Sequence, residues 1–178
     1  MAINQFNLSA GQRAERKLLI TVAEWSEQGT NNELTQVREI LGTRTEDSSI
    51  EYNADIATST DIRGFNYTDI NRTQPQQDFD PYLILGGSKL GAKLNDIRRR
   101  NALSELNQFT VYVITAFVGD ATNGYDAEKH VNCTIAYNSM GGDANVNFPI
   151  SVYFSNDSVT GKVDKLSDDF VFTPDVTV

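Results

Sequence analysis

Residues 109–118 read Phe-Thr-Val-Tyr-Val-Ile-Thr-Ala-Phe-Val (FTVYVITAFV). A strand with one wet face alternates apolar and polar side chains, and this one is apolar on both faces. It therefore lies at the centre of a sandwich, or its outer face is covered by something else, such as another subunit. Much of Lys17–Trp25 (KLLITVAEW) has the same two-faced character.

The flanking stretches alternate with period two. Ile50–Ile56, His130–Asn138 and Val146–Phe154 read as half-buried strands, with Val131, Cys133, Ile135 and Tyr137 on one face of the second. Gly141-Gly142-Asp143 supplies a hairpin connection between the last two. Pro149 cannot donate to a ladder, so its strand is expected at an edge or with a bulge. Weaker strand signals occupy 36–41, 64–72 and 162–166, and the tail 170–178 is placed to close a sheet edge. Long polar loops are expected at 27–35, 42–49 and 73–80.

One helix interrupts this pattern. After the Gly86-Gly87 break, Ser88 is a natural N-cap, and Leu90, Leu94 and Ile97 form a single apolar stripe. Arg98, Arg99 and Arg100 fall in the last turn, where cations complement the helix dipole. The expected architecture is mainly β: a β-sandwich or barrel of two packed sheets flanked by one α-helix over about 88–103. It is one domain over 1–178 with an N-terminal arm over about 1–16 and a C-terminal arm over about 170–178.

Charge and composition exclude several functions. The 178 residues carry 24 Asp and Glu against 15 Lys and Arg, a net charge of −9, which repels nucleic acid. No arginine follows Arg100, and residues 101–178 hold ten acidic side chains against three lysines. No apolar run reaches the roughly 20 residues of a membrane span, so no membrane partner is expected. The start of the chain has no secretory pattern and the lone Cys133 has no disulfide partner, which fits assembly in a reducing cytoplasm. In that setting the five Asn-x-Ser/Thr triplets, at Asn7, Asn66, Asn71, Asn132 and Asn156, reflect asparagine richness.

The chemical motifs fail on detail. Gly86 and Gly91 have phosphate-loop spacing, but Ala92-Lys93-Leu94 stands where Gly-Lys-Ser/Thr is required. The triple arginine has no interleaved aromatics, so helix termination or an intersubunit ion pair is the better reading. Nucleophilic catalysis needs a base, and regular alternation points the single histidine, His130, away from Cys133. One His and one Cys make no zinc set, and the pairs Asp78/Asp80 and Asp168/Asp169 lack the calcium-loop pattern. The expected catalytic, cofactor-binding and metal residues are none, and the chain is not expected to be an enzyme.

Several stretches carry a resemblance. Asp78-Phe-Asp-Pro-Tyr82, the helix Lys89–Arg100, the strand Phe109–Val118, Ala127–Cys133, Met140-Gly-Gly-Asp143 leading into Val146–Phe154, and Gly161–Asp164 together resemble major tail proteins. These are the tail-tube proteins of long-tailed bacteriophages with non-contractile tails, and the likeness covers roughly 58–178. It implies a tail-tube-like fold and a virion protein, assembled in the host cytoplasm, whose hexameric rings stack into a hollow tube. DNA passes transiently and without specificity through such a tube, and its implied partners are tape-measure, tail-terminator and baseplate or tail-tip proteins. Acidic side chains lining the bore would let DNA slide without sticking. Two alternatives stand beside this: the inner tube of a type VI-like secretion or tail-like particle, and a β-sandwich binding or decoration module. The latter needs an exposed aromatic platform, whereas Trp25, Tyr67, Tyr82 and Tyr125 are scattered along the chain.

Overall fold

A computed structural model describes residues 6–29, 31–45 and 48–175. Residues 1–5 and 176–178 of the expected arms, and Thr30, Glu46 and Asp47 of the expected loops, lie outside the described residues.

Eleven strands and one α-helix follow in the order β1 (Leu19–Gln28), β2 (Leu34–Ile40), β3 (Ile50–Glu51), β4 (Asp55–Thr60), β5 (Asn66–Arg72), β6 (Gln76–Phe79), α1 (Lys89–Arg100), β7 (Phe109–Asp120), β8 (Gly124–Tyr137), β9 (Ile150–Tyr153), β10 (Ser158–Val163) and β11 (Phe172–Pro174). The fold is mainly β, as the alternation implied. Nine strands form one antiparallel sheet in the order β2-β1-β7-β8-β9-β6-β3, with β10 also on β8 and β11 on β10; β4 and β5 pair only with each other. The sheet does not close into a barrel.

β8 folds this sheet into two layers. Its first half lies between β7 and β10, and residues 134–137 pair instead with β9. At the corner Asn132 takes a left-handed φ of 57°, and the ladder slips so that Phe109 faces Cys133 while Val111 faces His130. This is a β-bulge, which bends a strand and re-aims its side chains. It overturns the expected face assignment. The extra residue places His130 and Cys133 on the same inner face, and both are buried.

The two-faced strand is explained within one chain. Phe109, Val111 and Val113 of β7, with Ala23 and Trp25 of β1, face an inner core shared with Phe79, Ile135, Ile150, Val152 and the helix stripe Leu90, Leu94 and Ile97. Tyr112 and Ile114, with Val22, face a second core closed by Val163 and Phe170. The chain's own C-terminal segment therefore covers the outer face, and no second subunit is needed there. β11 on β10 closes that edge as expected.

Three local expectations change. Ile50–Ile56 is not one strand: pairing stops at Glu51, and Asn53, with φ of 42°, turns the chain out of the sheet before β4. Pro149 lies just ahead of β9, a strand flanked on both sides by β8 and β6; because pairing begins at Ile150, the missing N–H costs the ladder nothing. The expected loops 27–35 and 73–80 are shorter, since β1 and β2 meet across a connection closed by Gly29 N–H donating to Glu33 O (2.8 Å), and β6 occupies the second.

Candidate assembly surface

The β4–β5 hairpin stands apart from the body. Ile56 pairs across it with Ile70, Thr58 with Thr68 and Ser59 with Tyr67. Every residue of both strands is exposed except the half-buried Ala57. The strands form because β-branched and aromatic residues flank a tight turn. In that turn the Asp61 carboxylate accepts the N–H groups of Arg63 (2.8 Å) and Phe65 (2.9 Å), Gly64 N–H donates to Asp61 O (3.0 Å), and Gly64 supplies the required φ of +84°. The turn presents Ile62, wholly exposed, and Phe65 at 65% exposure, with the Arg63 guanidinium 5.9 Å from the Phe65 ring. Ile56 and Ile70 are exposed as well. A lone two-stranded hairpin is marginal in water, and these apolar side chains remain largely exposed.

Sequence reading registered 64–72 only as a weak strand and missed the arm. The signal was present: Asp61-Ile-Arg-Gly64 has Asp at the first and Gly at the last position of a type I turn, between runs rich in Thr, Ser, Tyr and Ile.

A second open edge belongs to the body itself. Among the described residues β2 is an edge strand, paired with β1 alone. Leu41 N–H donates to Thr21 O (2.8 Å), and the alternation from that pair turns the backbone groups of Leu34, Gln36, Arg38 and Ile40 outward. Lys89 Nζ reaches one of these, the Arg38 carbonyl, at 3.4 Å. A groove of about 650 Å³ runs beside this edge, bordered by Arg38 and Lys89 and by Glu27, Asp168 and Asp169. Unpaired edges and exposed apolar side chains are the features that pair chains together.

The residues weighed for chemistry lie elsewhere, in structural roles. His130 Nδ1 is 3.1 Å from Ser155 O and its Nε2 is 3.4 Å from Glu128, whose carboxyl that contact holds below the usual range. The Cys133 thiol rests on His130 O, and burial pushes it up, away from thiolate character. Lys93 pairs with Glu105 at 2.7 Å, and Arg100 with Asp96 and Glu105. Asn101, with φ of 54°, caps the helix C-terminus. Asp78 accepts from Gln76, Asp80 from Asn147, Asp168 pairs with Lys89 and Asp169 with Lys165. Among the described residues no group of three or more His, Cys, Asp or Glu is placed to hold a metal. Trp25 and Tyr82 are core residues, so they form no surface platform.

One polar cluster escaped the sequence reading because its members are far apart. Glu39 Oε1 accepts from Tyr82 Oη (2.8 Å) and Ser88 Oγ (3.0 Å), and Oε2 accepts the N–H groups of Lys89 and Leu90 (2.9 Å) at the start of α1. Ser88 Oγ in turn accepts Gly91 N–H at 3.1 Å, the expected N-cap. Burial pushes the Tyr82 hydroxyl well up. Both Glu39 oxygens are engaged in holding the helix, and the cluster is a cap.

No protein-family model matches this sequence, and no curated protein matches it. Among solved structures the chain is similar to a chain of the anti-feeding prophage (AFP) baseplate, seen by cryo-EM and 6-fold symmetrised. The TM-score is 0.47 at 12% identity, covering 89% of this chain and 100% of that chain.

Proposed function

We propose that the chain is a structural, non-enzymatic subunit that self-assembles, and that its assembly is the stacked hexameric rings of a phage tail tube. The observation that carries self-association is the hairpin: an arm with five exposed large hydrophobics, Ile56, Ile62, Phe65, Tyr67 and Ile70, and two unpaired edges, on a body with buried cores of its own. The resemblance of residues 58–178 to major tail proteins supplies the ring and the tube. The acidic balance of residues 101–178 suits a bore that repels phosphate.

Magnitudes favour repeated contacts over an isolated pair. Covering an Ile or Phe side chain fully gains about 1.5–3 kcal/mol. Bringing two chains together costs about 4–15 kcal/mol in lost freedom. One arm on one neighbour is then a weak contact, and a closed ring, where each new chain makes two contacts at once, is far stronger.

The test compares the parent with a chain in which residues 55–72 are replaced by a short Gly-Ser link. Sedimentation velocity should show the parent in large species and the variant as a monomer with unchanged β content. Equal assembly of the two would refute the arm's role.

A further inference from the structure

We infer that the hairpin tip of one copy seats in the mouth between the two sheet layers of a second copy; this rests on the self-assembly reading and names the contact that reading requires. Between the layers lies a cavity of about 250 Å³. Its walls are Leu19 and Val113 from one layer and Ile50 and Phe154 from beside the other, with the exposed charges of Arg16 and Glu128 at the rim. Dry apolar cavities of about 150 Å³ take up a benzene-sized ring, so this one has room for the Phe65 ring.

Charge fits in the same sense as shape. Arg63 stands at the tip between Ile62 and Phe65; its guanidinium lies beside the Phe65 ring and makes no ion pair among the described residues. Glu128 at the mouth is paired with His130 alone among the described residues, and its side chain is 57% exposed. Arg63 meeting Glu128 places a cation on an exposed carboxylate while the two flanking apolar side chains enter the cavity.

The arm cannot fill the mouth of its own chain. Its base is tied beside that mouth by Gln74 N–H donating to Tyr52 O (2.9 Å), and Tyr52 and Pro75 both line the cavity. Six cross-strand pairs carry the tip roughly 20 Å away. Knob and hole are thus different patches of one molecule, and their contact is head-to-tail. Such a contact makes a ring if the rotation closes and a filament if it does not.

The experiment places cysteines at both ends in the full chain, Ile62→Cys with Tyr52→Cys, and joins them with a short bismaleimide under assembling conditions. A covalent ladder of dimers, trimers and larger species is expected on a denaturing gel from the double variant, with no more than dimers from either single variant. Sedimentation of the uncrosslinked samples is read alongside. Assembled material that yields no ladder beyond dimers overturns the tip-in-mouth contact and leaves self-association standing. A parent chain that stays monomeric overturns self-association, and this contact with it. As a second readout, Ile62→Asp, at a fully exposed position that folding does not use, should raise the concentration needed for assembly at least tenfold. Assembly at the parent's concentration also overturns the contact.

Discussion

Arg38 and Phe170, on an edge strand and in the C-terminal segment, are joined twice: Nη1 of the arginine donates to the phenylalanine carbonyl at 2.5 Å, and the guanidinium carbon lies 4.3 Å from the ring centroid. The same guanidinium binds Glu24, which accepts from the Tyr112 hydroxyl. Burial, then Glu24, pushes that hydroxyl up to about 12. This clasp holds the C-terminal segment over the outer face of β1 and β7. It covers the apolar outer face of the central strands with the chain's own C-terminal segment.

Removing the clasp should be expensive. Arg38→Ala leaves the nearly buried Glu24 carboxylate without its cation, at a cost of about 3 kcal/mol. Chemical denaturation should show the lower midpoint, and hydrogen exchange should accelerate first in β10 and β11. A midpoint equal to the parent's would mean the clasp contributes nothing to stability.

The helix depends on an acid from another element. Glu39→Ala deletes the acceptor of two orphan N–H groups and should cost about 2 kcal/mol, whereas Glu39→Gln keeps a neutral acceptor and should cost less. Thermal melts of the two variants decide it. If both melt together with the parent, Ser88 alone caps the helix.

Acid should weaken the junction behind the helix. Arg100 foremost, then Lys93, holds the Glu105 carboxyl down at about 2 from the ordinary 4.5. A folded value below the unfolded one means the ionised form stabilises the native state; that contribution is complete above about 4.5 and is lost as pH falls toward 2. The parent's Tm should therefore fall more steeply across that window than the Tm of Glu105→Gln. Other carboxylates titrate there too, but they are common to both proteins. Parallel curves would show that Glu105 contributes nothing there.

What was legible in the sequence had local causes. The stripe Leu90, Leu94 and Ile97 and the cap at Ser88 obey helix periodicity and capping, and the structure has both. The two-faced strand 109–118 announced a central position, and it has one. What was hidden depends on a single backbone torsion or on distant partners. Asn132 inverts the facing of Val131, and Asn53 cuts a strand that the alternation ran straight through, because side-chain pattern carries no record of a left-handed residue. The Glu39 cap joins residues about 50 apart, and the Arg38 clasp spans 132. The arm was obscured for a different reason: its apolar residues follow strand rules while lacking the core that such rules usually imply.

Self-association is tested most directly by electron microscopy of the purified full-length chain over a range of concentrations. Rings, or tubes of regular diameter, are expected to form as concentration rises. A chain that remains a single compact particle at the highest concentration reached would contradict the proposal.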